Sequence, residues 1–92
     1  MEKRVHVFYS GTVQGVFFRS TSKEIADEFG VKGWVRNLSD GRVELAAEAE
    51  EEALHRFLGK VKATFGAYIR KEDTKWDDSL GEFTHFRIDY TR

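Results

Sequence analysis

Two glycines and an arginine lie together between an alternating apolar segment and a helical pattern. Residues 11–19 read Gly-Thr-Val-Gln-Gly-Val-Phe-Phe-Arg, so the glycines are four apart and Arg19 stands at the start of the helix. A loop that leads into a helix leaves backbone N–H groups without intrahelical partners. These donors and the positive end of the helix dipole favour an anion, most often phosphate. A guanidinium group at Arg19 matches phosphate oxygens with its planar fork of donors.

The spacing alone does not separate such a phosphate site from an ordinary structural turn between a strand and a helix. No Gly-Lys-Ser/Thr sequence closes the run, so it is not a Walker-type loop. The glycine spacing also differs from that of a dinucleotide fingerprint. On spacing alone the structural turn is the more common case, and the phosphate site is the alternative.

The composition excludes several classes of site. The chain has 92 residues, no cysteine and a net charge of −1. It therefore has no disulfide, thiolate nucleophile or thiolate metal site, and no basic field to hold a nucleic-acid backbone. No apolar run has the length of a signal peptide or membrane span. We expect one cytoplasmic, monomeric domain over residues 1–92, with no membrane or nucleic-acid partner.

Other titratable residues lack the spacing of a functional site. His6, His55 and His85 are scattered and do not have metal-ligand spacing. The glutamates between Glu48 and Glu52 are interpreted as a solvated helix start, because hard-cation sites need oxygens that converge from a loop. No serine stands in a nucleophile motif. The sequence therefore predicts no metal and no cofactor.

Hydrophobic periodicity predicts the order strand, helix, strand, strand, helix, strand, with one closing strand. Val5, Val7 and Tyr9 alternate with partly apolar neighbours, which is typical of a central strand. The later extended segments are residues 31–38, 42–48, 67–76 and 86–91. Because residues 67–76 are highly charged, we expect that strand at an edge of the sheet.

Turn and capping residues set the predicted boundaries. Ser20, Thr21 and Ser22 are candidate N-caps for the first helix, and Ser22 gives the best apolar face. Ser39-Asp40-Gly41 predicts a hairpin with a primed turn. Apolar residues from Leu54 to Phe65 recur at helical spacing and mark the second helix.

Two amphipathic helices need a sheet face to cover. The predicted fold class is therefore α+β, a ferredoxin-like two-layer sandwich in which an antiparallel sheet of four to five strands carries two helices on one face. This topology allows the loop at residues 11–19 and the region of Asn37 to lie close in space. We expect Phe17 and Phe18 to divide, one under the loop and one against the core.

Two motifs in this order resemble the signatures of the acylphosphatase family. Residues 11–19 resemble the signature Gly-x-Val-Gln-Gly-Val-x-Phe-Arg. Residues 33–44, Gly-Trp-Val-Arg-Asn-Leu-Ser-Asp-Gly-Arg-Val-Glu, resemble the second signature, Gly-x-Val-x-Asn followed by a short turn and Gly-x-Val. The ending at residues 81–90 also looks like that of the family, so the resemblance covers essentially the whole chain.

The resemblance implies a function and a set of site residues. It implies hydrolysis of the carboxyl-phosphate anhydride bond of an acyl phosphate to a carboxylate and inorganic phosphate, without metal or cofactor. Arg19 would bind the phosphate and Asn37 would position the attacking water. The expected substrate-binding residues are Gln14, Gly15, Val16, Phe17, Phe18 and Arg19, with the backbone from Gln14 to Phe18 forming a cradle for the phosphate.

Three other functions remain open at this point. A ferredoxin-like RNA-recognition module has the same element order but needs aromatics on exposed central strands and a basic surface. Val43, Leu45 and Ala47 supply no such aromatics. A non-catalytic anion sensor would be expected to lack Arg19 or Asn37. An acylphosphatase-like domain also begins larger carbamoyl-transfer maturation proteins, which carry zinc-finger cysteines that this chain lacks.

Overall fold

A five-stranded sheet forms one layer of the fold, and two helices form the other. The computed structural model describes residues 1–91, so Arg92, the end of the predicted domain, lies outside the described residues. The elements are β1 (Glu2–Gly11), α1 (Phe18–Phe29), β2 (Lys32–Asn37), β3 (Val43–Glu50), α2 (Glu51–Phe65), β4 (Ile69–Asp78) and β5 (Phe86–Ile88). The predicted element order and the ferredoxin-like fold are confirmed.

The strands lie in the order β4-β1-β3-β2-β5. Four of them pair antiparallel, as predicted, but β5 runs parallel to β2, with Ile88 opposite Val35. The sheet is therefore mixed, and the antiparallel prediction fails at this edge. The reason is topological: β4 runs opposite to β1 at one edge, so the chain crosses the sheet and β5 returns in the direction of β2.

The interior and edge strands match their sequence patterns. Val5, Val7 and Tyr9 of β1 are wholly buried and lie opposite apolar residues of β3. In contrast, β4 is exposed along nearly all of its length and forms an edge, as its charges predict. Charged edge strands resist pairing with other chains.

The start of α1 differs from the prediction. The helix begins at Phe18, and Ser22 is buried within it rather than capping it. Phe18 packs against Tyr9 and Phe65, with ring centroids 5.0 and 4.5 Å apart. Burying a phenylalanine contributes about 1.5–3 kcal/mol, whereas a side-chain cap contributes about 1 kcal/mol. Core packing therefore places the N-cap at Phe17, five residues before the Ser22 cap that the serine pattern indicates.

The β2–β3 connection is a hairpin, but its turn is not primed. Gly41 N–H donates to Leu38 O at 3.1 Å, and Leu38 N–H donates to Arg42 O at 2.8 Å. Gly41 has a φ of 96°, whereas Asp40 is not in the positive-φ region that a type I′ turn also requires. The Asp40 carboxylate instead accepts from Arg42 N–H at 3.1 Å, and this bond lowers the pKa of Asp40.

The sheet face away from the helices carries aromatic rings beneath arginines. Arg42 lies over Phe8, and Arg36 lies over Trp34, at 4.8 and 4.6 Å from the ring centroids. The sequence argument against an RNA-recognition module rests on Val43, Leu45 and Ala47. These residues are buried, so they do not belong to the open face. Both arginines are already paired with carboxylates at 2.7–2.8 Å. The absence of a nucleic-acid partner remains a prediction.

Glu48 fixes the segment after β4 to this open face. Its carboxylate accepts from Leu80 N–H at 2.8 Å, from Ser79 Oγ at 3.0 Å and from Arg4 Nη1 at 3.2 Å. Burial pushes the pKa of Glu48 upward, but these hydrogen bonds outweigh it and hold the pKa below its ordinary value. Glu48 therefore stabilises the fold as a carboxylate.

We expect Glu48→Gln to destabilise the protein by about 1–3 kcal/mol at pH 7, because charge-assisted hydrogen bonds are lost. Since the folded pKa lies below the unfolded one, the contribution is fully present above pH 4.5 and is lost as pH falls through the folded pKa. Urea unfolding at pH 7, 5 and 3 should show the gap between variant and wild type closing. Glu82→Gln is the control, because Glu82 also pairs with Arg4 but is exposed to solvent. A gap independent of pH would contradict this account.

Candidate active site

A cleft of about 340 Å³ lies where the β1–α1 loop meets the start of α1 and the ends of β2 and β5. Its lining residues come from both sequence motifs and from the last strand. They are Val13, Gly15, Phe17, Phe18, Arg19, Ser20, Asn37 and Ile88. The structure therefore brings Arg19 and Asn37 to one cleft, as the topology predicted.

The β1–α1 loop is fixed where it leaves the sheet. Thr12 N–H donates to Tyr68 O at 2.9 Å. A Cβ atom at Gly11 would lie 2.3 Å from that same carbonyl oxygen, so only glycine permits the approach. Gly15, with a φ of 79°, then turns the chain along the cleft.

The N-terminus of α1 presents positive charge that its own side chains do not neutralise. The first hydrogen bond of the helix runs from Thr21 N–H to Phe17 O at 3.0 Å. The N–H groups of Phe18, Arg19 and Ser20 therefore have no acceptor within the helix. No side chain of the described residues caps α1, and its first turn has no acidic residue, whereas α2 begins with two glutamates. This end of α1 is suited to an anion.

Arg19 differs from the other half-buried arginines. Within residues 1–91, Arg4, Arg36 and Arg42 each pair with a carboxylate at 2.7–2.8 Å. Over the same residues, no carboxylate lies within the 4.0 Å that defines an ion pair with Arg19. A half-buried guanidinium without a carboxylate is available to bind a planar or tetrahedral anion.

Asn37 is the last residue of β2 and lies on the same side of the sheet as Val35, because side chains alternate along a strand. Its Oδ1 atom is buried and has no hydrogen-bond partner among the described residues. Buried polar atoms are nearly always paired. Within a cleft, such an oxygen can accept a hydrogen bond from a water molecule or a ligand.

The Gln14 side chain braces the β1–α1 loop, whereas the phosphate cradle expected from the backbone of residues 14–18 stays a prediction. Its Nε2 donates to Leu38 O at 2.8 Å and to Arg42 O at 2.9 Å. The side chain thus ties the β1–α1 loop to the hairpin that begins directly after Asn37. Val16 likewise lies outside the lining and packs against the core. The sequence motif does not reveal this bracing, which depends on where the Gln14 side chain points in the folded protein.

The two phenylalanines of the loop divide differently from the prediction. Phe18 lies against the core, as expected, but Phe17 is 81% exposed rather than under the loop. Its φ of 62° lies in the left-handed region.

Ile88 is a lining residue that the sequence analysis did not identify as a site residue. Its position could be inferred only from its register beside Val35, and that register depends on the parallel pairing of β5 with β2.

In the part of the chain that the structure describes, no three histidine, cysteine, aspartate or glutamate side chains are grouped to hold a metal ion. Over the same residues, no helix is long and apolar enough to cross a membrane.

A sequence profile of the acylphosphatase family matches residues 5–88. The chain belongs to the acylphosphatase family. An acylphosphatase from Pyrobaculum islandicum is 45% identical over 87 residues, which cover 92% of each chain. The family assignment inferred from the two motifs is therefore confirmed.

Solved structures extend the comparison to the fold. The crystal structure of acylphosphatase from Bacillus subtilis matches with a TM-score of 0.87 at 33% identity, covering 96% of this chain and 99% of that one. HypF from T. kodakarensis matches with a TM-score of 0.80 at 29% identity, covering 95% of this chain but 12% of HypF. The same fold thus also occurs as a small part of a much longer chain.

The bracing by Gln14 leads to a stability prediction. Gln14→Ala removes two hydrogen bonds, but both carbonyls keep a backbone donor, so we expect a loss of about 1–2 kcal/mol. Gln14→Glu keeps the size but places a carboxylate against two carbonyl oxygens, and we expect a larger loss. Urea unfolding at pH 7 measures both. Wild-type stability in Gln14→Glu would show that the side chain does not brace the hairpin.

Proposed function

We propose that this chain is a metal-independent acylphosphatase that hydrolyses the carboxyl-phosphate anhydride bond of an acyl phosphate. The observation that carries the proposal is that one cleft holds both the Arg19 guanidinium and the buried Asn37 oxygen, which have, among residues 1–91, no carboxylate partner and no hydrogen-bond donor respectively. Membership of the acylphosphatase family supports it. The products are a carboxylate and inorganic phosphate.

In this proposal the phosphoryl group binds at the N-terminus of α1. Arg19 donates two parallel hydrogen bonds to its non-bridging oxygens, and the N–H groups of the loop and first turn surround the rest. Phosphoryl transfer depends chiefly on positioning and on neutralising charge at these oxygens. Arg19 and the helix N-terminus supply that charge, so the proposed reaction uses no metal.

Asn37 positions the nucleophile. Its Oδ1 accepts a hydrogen bond from water and leaves an oxygen lone pair directed at phosphorus. Holding a reactant in line can lower the barrier by several kcal/mol. The water oxygen forms a bond to phosphorus while the bond between phosphorus and the acyl oxygen breaks. The electron pair of the broken bond leaves with the carboxylate.

The proton balance needs no dedicated side chain. A carboxylate is a weak base, so it leaves without a general acid. No histidine, aspartate or glutamate is among the described residues that line the cleft. We therefore propose that a phosphate oxygen of the substrate accepts the proton of the attacking water.

We expect Arg19→Ala to lose catalysis by about 10³-fold and to weaken inhibition by inorganic phosphate, because one group serves both. Arg19→Lys should also fail, since a point charge cannot replace the bidentate fork. Asn37→Ala should lose kcat while its phosphate inhibition constant stays within about threefold of wild type. Hydrolysis of benzoyl phosphate, with and without a chelator and against a phosphate monoester, measures these effects.

Arg70→Ala is the matched control, because Arg70 is an exposed arginine of β4 outside the cleft. Equal loss of phosphate affinity in the Arg19 and Asn37 variants would contradict the division of roles. Phosphate binding without turnover in the wild type would favour the anion sensor instead. Cytoplasmic location, a monomeric state and the single domain over residues 1–92 remain predictions.

A further inference from the structure

Phe17 combines two features that are uncommon in one residue. Its side chain is 81% exposed, and its φ of 62° lies in the left-handed region that bulky residues rarely adopt. Glycine would take this conformation without strain. Strained backbone of this kind is concentrated at active sites and ligand-binding loops.

The backbone of Phe17 is held by the helix start. Phe17 O accepts hydrogen bonds from Thr21 N–H at 3.0 Å and from Ser20 Oγ at 3.2 Å. These bonds hold the backbone that carries the ring, and Phe18, the next residue, is anchored in the core. Phe17 therefore lines the cleft from a fixed backbone, with its side chain largely exposed.

Ile88 adds a second apolar side chain to the same cleft. It is 42% exposed and lies beside Val35, in the strand that ends at Asn37. The other large apolar lining residues, Val13 and Phe18, are fully or almost fully buried. The accessible apolar surface of the cleft therefore comes chiefly from Phe17 and Ile88.

The cleft is larger than a phosphoryl group requires. Its volume of about 340 Å³ falls within the roughly 300–1,000 Å³ of small-molecule sites. The polar groups that suit phosphate are concentrated at Arg19, Asn37 and the helix N-terminus. The rest of a substrate must extend past the exposed lining, where the surface is apolar.

We propose that Phe17 and Ile88 form an acyl subsite that selects acyl phosphates with an aromatic or bulky apolar acyl group over acetyl phosphate. This inference rests on the proposed function, because it assigns the phosphoryl end of the ligand to Arg19. A planar acyl group stacks on the Phe17 ring, and Ile88 contacts its edge. Both contacts remove apolar surface from water only when the acyl group is large.

The test compares kcat/KM for benzoyl phosphate and acetyl phosphate in the wild type and in variants. We expect the wild type to prefer benzoyl phosphate and Phe17→Ala to reduce the ratio about fivefold to tenfold. In this variant, acetyl phosphate turnover and inhibition by inorganic phosphate should fall much less than benzoyl phosphate turnover. Ile88→Ala should reduce the ratio less, by about threefold.

Phe17→Gly separates the effect of the ring from that of backbone strain, because it removes the same ring contacts as Phe17→Ala and also relieves the strain of the positive φ. It should be at least as stable as the wild type in urea and should lose the same preference. Leu80→Ala, which removes another exposed apolar side chain outside the cleft, should change nothing. An unchanged ratio in both Phe17 variants would overturn the subsite, as would an equal loss for both substrates.

A binding arm distinguishes this inference from the proposed function. Calorimetry measures the affinities of benzylphosphonate and methylphosphonate, which bind without being hydrolysed. If the wild type binds both but hydrolyses neither acyl phosphate, the proposed function fails, and a lower affinity ratio in Phe17→Ala still supports the subsite. If the wild type hydrolyses both but Phe17→Ala leaves the affinity ratio unchanged, the subsite is refuted and the proposed function stands.

Discussion

The uncompensated positive charge at the start of α1 is the constraint on which the site depends. Three N–H groups of the first turn have no intrahelical acceptor, and neither a cap nor an acidic residue offsets them. Arg19 adds a half-buried guanidinium at the same place. The arrangement is held by Phe18, whose ring packs between Tyr9 and Phe65. The same residue pair, Phe18 and Arg19, thus joins the core of the protein to its anion site.

A second constraint links two parts of the sequence that are far apart. The N–H donors belong to the β1–α1 loop, whereas Asn37 ends β2. In the proposed reaction, the separation of these two parts decides whether a water held by Asn37 can reach the phosphorus. Gln14 connects the two parts through both of its hydrogen bonds to the β2–β3 hairpin. A shift of about 1 Å in such a geometry can cost about 10²-fold in rate. Gln14 therefore belongs with the site, although it does not line the cleft.

The sequence predicts well what depends on local pattern. Alternation at Val5–Tyr9, helical spacing from Leu54 to Phe65 and the charges of residues 67–76 give the interior strand, α2 and the edge strand. The two motifs identify Arg19 and Asn37, and topology places them in one cleft. What local pattern favours can nevertheless be overridden by tertiary packing. Ser22 is a good cap by composition, but burial of Phe18 moves the helix start to the earlier residue.

The missed features depend on pairing or on side-chain direction. Ile88 enters the cleft only because β5 runs parallel to β2, and no local pattern encodes that pairing. Asp-Gly is common in primed turns, yet the Asp40 side chain accepts from Arg42 N–H and the chain makes a different turn. The exposure of Phe17 follows from one backbone angle. Each of these features depends on the folded structure and cannot be inferred from composition or local pattern.

The distribution of carboxylates favours an anion at the proposed site. The chain contains 16 aspartates and glutamates and 15 lysines and arginines, so its net charge does not attract an anionic substrate. Carboxylates pair with the half-buried arginines of the open sheet face, but none lines the cleft among the described residues. A carboxylate beside Arg19 would stabilise the fold and occupy the fork that an anion needs. Leaving Arg19 without a carboxylate partner among the described residues gives up some stability, and the attraction it provides acts only within the cleft.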